Sequence, residues 1–353
     1  MNSSDDIQLQ MQQHQSIWVI TGVAGFIGSN LLEFLLKNSQ KVVGLDNFST
    51  GYQHNLDQVH ELVGHKNWSN FTFVRGDIRD LDTCQKVCAG ADYVLHHAAV
   101  ASVPRSIEDP ICTNANNVTG FLNMLVAARD QHIKRFVYAA SSSTYGDHPD
   151  LLKRESVIGP PLSPYAVTKY VNELYADVFH RCYHNSCIGL RYFNVFGPRQ
   201  DPNGAYAAVI PIWIAALIKN QDLFINGDGE TTRDFCYVAD VAQANVRAAL
   251  TTNEQASNQV FNVALSNKTS LLQLYNMMRE ILKENHPYLN NHQPIFLPFR
   301  SGDIRHSQAD ITKAQQILAY QPDWRVDQGL QKTIAWYEAN LDAGHDSRHN
   351  SHH

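Results

Sequence analysis

The chain has 353 residues, of which 44% are hydrophobic and 18% charged, and its formal net charge is −6. That length can bury a large core in one α/β unit or two closely joined ones, and the acidic balance excludes bulk attraction to nucleic acid or to an anionic membrane. A small anionic ligand, which needs only a few local cations, stays open. Met1 to Gln15 is polar and glutamine-rich, without a basic start or an apolar run, and reads as a disordered extension. Ser16 to Thr21 is then a short apolar strand, and it stops at Gly22-Val23-Ala24-Gly25-Phe26-Ile27-Gly28, where a helical apolar pattern begins. Gly22 permits the bend, Gly25 admits a pyrophosphate to the backbone, and Gly28 lets helix and strand pack closely, so the helix N-terminus faces a dinucleotide phosphate. A second strand, Lys41 to Leu45, ends at Asp46, eighteen residues beyond Gly28. A carboxylate there accepts from both ribose hydroxyls and repels a 2′-phosphate, which points to NAD rather than NADP.

Further strands are predicted at Phe71–Arg75, running into Gly76-Asp77-Ile78, and at Tyr93–His97, followed by the small residues Ala98 and Ala99. His96 and His97 read as a strand pair, because no other ligand type stands at metal spacing beside them, and no metal site is expected. A helix from about Asn114 to Arg129 leads to a strand at Phe136–Ala140 that ends in Ser141-Ser142-Ser143-Thr144-Tyr145-Gly146. Ser163-Pro164 supplies an N-cap and a first-turn proline for a helix to about Tyr183, and Cys187–Arg191 is the next strand. Beyond Phe193 the alternation loosens into Gly-, Pro-, Asp- and Asn-rich loops, with helices at Val238–Leu250, Ser270–Glu284, Ile311–Leu318 and Asp327–Tyr337. The expected architecture is therefore a doubly wound parallel sheet of Rossmann type over residues 16–193, a smaller C-terminal α/β lobe over 194–341 from which some segments return, and a solvated tail over 342–353 that carries His345, His349, His352 and His353. Six cysteines (Cys84, Cys88, Cys112, Cys182, Cys187, Cys236) without a Cys-x-x-Cys pair suggest free thiols in a reducing cytoplasm. The longest apolar run, Ala207 to Ile218, contains Pro211 and is too short to span a bilayer.

Ligands of open α/β sheets bind beyond the carboxyl ends of the strands, which places chemistry at the serine cluster. Tyr165 and Lys169, four residues apart, share one face of the following helix. A neighbouring ammonium and the positive ring of oxidised nicotinamide stabilise a phenolate, which should lower the tyrosine pKa toward the range a general base needs. A serine of the cluster can hydrogen-bond the same substrate hydroxyl.

Gly22-x-x-Gly25-x-x-Gly28, Asp46-Asn47-Phe48, Gly76-Asp77-Ile78, His97-Ala98-Ala99, the serine cluster, Tyr165-x-x-x-Lys169 and Arg191-Tyr192-Phe193-Asn194-Val195-Phe196-Gly197-Pro198 together resemble an extended short-chain dehydrogenase/reductase. Within that family the chain is similar to the UDP-hexose 4-epimerases, in particular bacterial UDP-N-acetylglucosamine 4-epimerases of surface-polysaccharide synthesis, over about Ile17 to Tyr337. The resemblance implies Tyr165 as base with Lys169 as its partner, Ser141 in the family's serine position, and Ser142 and Ser143 beside the sugar. It implies NAD held by Gly22, Gly25, Phe26, Ile27, Gly28, Asp46, Asn47, Ser49, Gly51, Asp77, Ile78, Ala98, Asn117 and Phe193, with Tyr165 and Lys169. Substrate contacts fall on Ser102, Asn194, Val209, Asn226, Arg233, Arg300, Asp303 and Ser307, the arginines gripping the diphosphate. The implied partner is a UDP-sugar, and the implied assembly is a homodimer through the helices near Asn114–Arg129 and Tyr165–Tyr183.

The dehydratases and decarboxylases of the family carry acidic residues where this chain has Ser142 and Ser143, which leaves reversible oxidation at C4. Members restricted to plain hexoses tend to have a bulky tyrosine where Ser307 stands, so room for an N-acetyl group is expected. The alternatives are a UDP-N-acetylglucosaminuronate epimerase, an epimerase of UDP-glucose and UDP-galactose, and a non-catalytic NAD-sensing regulator, which would have no need of Tyr165, Lys169 and the serines together.

Overall fold

The computed structural model describes residues 3–203, 207–299 and 305–341. Arg300, Asp303, the stretch Gly204-Ala205-Tyr206 and the tail over 342–353 lie outside the described residues.

Seven parallel strands, β1 (Ile17–Thr21), β2 (Lys41–Asp46), β3 (Phe71–Arg75), β4 (Tyr93–His96), β5 (Arg135–Ser141), β6 (Cys187–Tyr192) and β7 (Gln259–Val263), lie in the order β7-β6-β5-β4-β1-β2-β3. Their apolar runs are nearly continuous because both faces are covered. Trp18 and Ile20 of β1 join one core with Leu31, Leu32 and Leu35, whereas Val19 joins the opposite core with Val94, Phe121 and Phe136. The chain winds outward from β1 through β2 and β3, then starts again at β4 and winds the other way, so a switch point opens between β1 and β4. The registers Thr21↔Leu45, Thr21↔His96 and Ser141↔Tyr192 bring the carboxyl ends of five strands to one edge.

A third core gathers Phe196, Ile210, Trp213, Phe235, Leu274, Met278, Leu330 and Tyr337. It belongs to a C-terminal lobe of helices at Val209–Ile218, Leu271–Leu282 and Val326–Asn340, with strands of two or three residues between them. Pro211 is tolerated because it falls in the first turn of its helix, before a backbone N–H donor is needed. The returning segments include the helix Val238–Leu250, whose Val241, Ala244 and Val246 join the first core, the helix Thr312–Leu318, whose Ala314 and Leu318 do the same, and β7, which the sequence pattern did not mark as a strand. The predicted helix at Asn114–Arg129 is observed as Pro110–Asn114, a π-helical turn at Ala115–Gly120, and Phe121–Asp130.

The N-terminal segment departs from its disordered reading. Ser3–Gln13 is a helix, and Ile7 and Met11, one turn apart, are each 2% exposed in the first core. Gln40 donates to the Met11 carbonyl at 2.9 Å and Gln10 to the Leu250 carbonyl at 3.4 Å. Two apolar side chains at helical spacing are enough to dock a helix that is otherwise polar. Replacing Ile7 by alanine should lower the unfolding free energy by about 2–3 kcal/mol; urea denaturation followed by circular dichroism checks this, and an unchanged midpoint would mean that the helix does not contribute.

Candidate active site

The turn after β1 is shaped by what its glycines lack. Gly22 has φ +71°, and a Cβ there would lie 2.8 Å from the Ala98 nitrogen; a Cβ on Gly28 would lie 2.0 Å from the Gly22 oxygen. Asp46, at the end of β2, closes the turn by accepting from Ala24 N–H at 2.9 Å and from Phe48 N–H at 2.8 Å. Burial raises its pKa, and these backbone donors oppose the rise. The Phe26–Lys37 helix starts at Gly25 without a side-chain cap, so the N–H groups of its first turn remain available at the edge of a cavity.

That cavity, about 400 Å³, occupies the switch point. Gly22, Gly25, Phe26, Ile27, Gly28, Asp46, Asn47, Ser49 and Ile78 form one side, and Ala98, Ser141, Tyr165 and Lys169 the other. Four residues assigned to the cofactor stand elsewhere. Asn117 is buried against the loop after β4, accepting from Val100 N–H at 2.8 Å and donating to Val100 O and Thr168 Oγ1; its neighbour Asn116 lines the cavity instead. Asp77 accepts from Asn47 at 2.8 Å and is paired with Arg79 at 2.7 Å, whose hydrogen bonds hold its pKa down at about 2. Gly51 packs on Ala24, where a Cβ would come within 2.9 Å, and Phe193 is fully buried beside Tyr145.

At the cavity floor, Lys169 is 4% exposed and donates to the Ala139 carbonyl at 2.9 Å. Its ammonium lies 5.9 Å from the centre of the Tyr165 ring, one helical turn away. Burial pushes Lys169 down to about 8. The pKa of Tyr165 is raised by burial, with the Ser141 hydrogen bond opposing; the lysine does not reverse this in the chain by itself, which departs from the lowering read from the sequence. Ser141 also accepts from Ser143 N–H and donates to the Ser143 hydroxyl, each at 3.1 Å. Ser142 and Ser143 open the short helix Ser142–Tyr145 and stand behind Ser141 rather than on the cavity wall.

Asn194, with φ +34°, is shared with a second cavity of about 580 Å³. Val209, Asn226 and Arg233 line it too, so four of the assigned substrate residues meet there, with Trp213, Phe224, Phe299 and Arg305. Arg305 is a cation the sequence reading did not assign, although it stands two residues before Ser307 in a stretch already marked. Ser307 lines neither cavity; its N–H donates to the Thr232 carbonyl at 3.3 Å, beside Arg233. Ser102 likewise lines neither and caps the Val103–Glu108 helix, accepting from Arg105 N–H at 3.3 Å.

A model of the family described as "NAD dependent epimerase/dehydratase family" matches residues 18–264. The chain belongs to this epimerase/dehydratase family. It is 35% identical to the UDP-glucose 4-epimerase of Mycolicibacterium smegmatis over 90% of this chain and 97% of that one. Among solved structures it is similar to the UDP-N-acetylglucosamine 4-epimerase from Methanobrevibacter ruminantium in complex with UDP-N-acetylmuramic acid (37% identity, TM-score 0.84, 92% of this chain and 99% of that one). The UDP-glucuronic acid 4-epimerase from Bacillus cereus in complex with UDP-glucuronic acid and NAD is 31% identical, with TM-score 0.80 and coverage of 92% and 99%.

NAD is the cofactor of this epimerase/dehydratase family member, and the first cavity fits it: a glycine cradle that a single Cβ would fill, uncapped helical N–H groups for a pyrophosphate, and Asp46 in position to accept from ribose hydroxyls. Among the described residues no helix is long and apolar enough to cross a membrane, and all six cysteines are unpaired. Lys169 has a pH consequence with a definite sign. Its folded pKa, about 8, lies below its ordinary value of 10.5, so the ammonium is desolvated at neutral pH and is lost as pH rises through about 8. The folded state then binds fewer protons than the unfolded one, and stability rises between about 8 and 10.5. Without its ammonium the site stabilises the Tyr165 phenolate less, so kcat/KM should fall on the alkaline side of about 8 and Lys169→Met should remove that limb; steady-state rates from pH 6 to 10 for both proteins check it.

Proposed function

We propose that this chain is a 4-epimerase of UDP-sugars whose preferred substrate is UDP-N-acetylglucosamine, converted reversibly to UDP-N-acetylgalactosamine. The observation that carries the reading is the convergence of Tyr165, Ser141 and Lys169 on the floor of a glycine-cradled cavity, with a second, arginine-bearing cavity joined to it at Asn194. In this reading the second cavity holds the nucleotide and its diphosphate, with Arg233 supplying a guanidinium that can meet two phosphate oxygens at once. Tyr165 takes the proton from the 4-hydroxyl while Ser141 hydrogen-bonds the same oxygen. NAD, when bound, would supply the hydride chemistry at C4. Lys169 keeps positive charge next to the tyrosine during the proton transfer, and burial strengthens that interaction by excluding water.

Inversion requires the 4-keto sugar to present its opposite face to the returning hydride. Anchoring by the diphosphate permits this, because the sugar then turns about its phosphate bonds while the nucleotide stays fixed. Ser142 and Ser143 provide no carboxylate to act on C5 or C6, which supports epimerisation over dehydration or decarboxylation. The preference for an N-acetylated sugar rests on Ser307 being small and adjoining Arg233 through Thr232. Similarity to an epimerase solved with UDP-N-acetylmuramic acid supports it as well.

The purified protein, supplied with UDP-N-acetylglucosamine, UDP-glucose and UDP-N-acetylglucosaminuronate in parallel, should epimerise the first most efficiently by proton NMR, and Ser307→Tyr should depress the acetylated substrate about tenfold more than the plain hexose. Faster turnover of the uronate would move the assignment to that sugar. The reading includes a role in surface-polysaccharide synthesis and a homodimer. Val167, Leu174, Val178 and Tyr183 are each more than 40% exposed along the Pro164–Tyr183 helix, which supports a helix-to-helix contact between copies. Light scattering at micromolar concentration should give twice the chain mass, and Leu174→Glu with Val178→Glu should halve it; a monomeric wild type would contradict the assembly.

A further inference from the structure

We propose that Asp234 is a positioning residue for the UDP-sugar: its carboxylate ties together the separate chain segments that present Asn194, Arg233 and Arg305 to the substrate. This rests on the functional reading given above and assigns a role to a residue that touches no ligand.

Asp234 is 0% exposed. Its two neighbours, Arg233 and Phe235, both line the second cavity, so the backbone alternation turns the Asp234 side chain away from substrate and into the lobe. One carboxylate oxygen accepts from Leu265 N–H at 3.1 Å, and the other accepts from Ala309 N–H at 3.1 Å. Its backbone carbonyl accepts from the Asn194 side-chain amide at 2.9 Å. Three stretches distant in sequence therefore meet on one residue.

Each of the three leads to the site. Ala309 follows Arg305 and Ser307, and that stretch is laid along Thr232 by the pairs Thr232 N–H to Arg305 O at 2.9 Å and Ser307 N–H to Thr232 O at 3.3 Å. Leu265 begins the turn into Thr269–Ser270, which pairs antiparallel with Thr232–Arg233 and continues to Leu271 on the cavity wall. Asn194 joins the two cavities. These strands are two residues long, too short to fix their own register. A carboxylate is suited to the task because both of its oxygens accept; an amide offers one acceptor and would set an N–H₂ donor against a backbone N–H. Burying it is costly, and burial drives its pKa up to about 7, with the N–H groups of Ala309, Leu265, Asn267 and Ser266 opposing. Among the described residues, the groups named as acting on it are these backbone N–H groups and not cationic side chains.

Asp240 gives an internal comparison. It is 1% exposed and also accepts from two backbone N–H groups, Asp323 at 2.8 Å and Trp324 at 3.3 Å, but it braces a turn that lines neither cavity. The test is calorimetric titration of UDP into wild type, Asp234→Asn and Asp240→Asn, each with its NAD, together with thermal melting and steady-state kinetics. Asp234→Asn should bind UDP about tenfold more weakly, or about 1.4 kcal/mol, and raise KM by a similar factor, while retaining NAD and a kcat within about twofold of wild type. Asp240→Asn should melt at lower temperature yet bind UDP as wild type does. If Asp234→Asn does not fold, Asp234→Glu replaces it: a carboxylate displaced by one methylene should also weaken UDP. Wild-type UDP affinity in the folded Asp234 variant, or equal weakening in Asp240→Asn, overturns the positioning role alone. A wild type that binds no UDP overturns the functional reading itself, and the positioning role with it.

Discussion

At the end of β1 the chain can turn into a helix only because Gly28 has no side chain, since a Cβ there would stand 2.0 Å from the Gly22 carbonyl. That contact sets the distance between the Phe26–Lys37 helix and the sheet, and so aims the first-turn N–H groups into the gap between β1 and β4. The gap exists because the strand order reverses there. Asp46 from β2, Ala98 beyond β4, Ser141 from β5 and Asn194 beyond β6 reach the same edge through strand register, and the Pro164–Tyr183 helix brings Tyr165 and Lys169 to it. A parallel sheet brings together residues up to 172 positions apart (Gly22 to Asn194) by aligning strand ends.

The same burial that holds the site rigid works against its chemistry in the isolated chain. It raises the Tyr165 pKa above its ordinary 10.0 and lowers that of Lys169 from 10.5 to about 8, so each group is pushed toward its neutral form. A weak base and a weakened acid held one helical turn apart can exchange influence strongly once a further positive charge is added, because little water screens them. The oxidised nicotinamide ring carries that charge. Bound in its oxidised form, the cofactor would therefore favour the phenolate of Tyr165, and without that charge the phenol is favoured.

Much of this was legible in the sequence because the decisive features are local. The three glycines lie within seven residues, and Tyr165 and Lys169 are spaced by one helical turn. The readings that differ from the observed positions depend on what a local pattern cannot express. Asn117 came from the resemblance alone; it lies in the π-helical turn at Ala115–Gly120, and it is its neighbour Asn116 that lines the cavity. Ser3–Gln13 looked disordered because its only apolar anchors, Ile7 and Met11, matter through a partner helix more than two hundred residues away. The C-terminal lobe is built from strands two or three residues long whose pairings are all distant, so periodicity had nothing to read, and the buried carboxylate of Asp234 that joins them gave no signal of its own.

The central claim is that one hydrogen leaves C4 and comes back to it within a single enzyme, with Tyr165 handling the hydroxyl proton. The most direct measurement uses UDP-N-acetylglucosamine carrying deuterium at C4, incubated with the purified protein in ordinary water, with the epimer examined by NMR and mass spectrometry. Full retention of deuterium at C4 of the product, with none lost to solvent, is the predicted result. Loss of the label to water would contradict the account, since it would mean that C4 is inverted through a proton exchanged with solvent rather than a hydride held in the site.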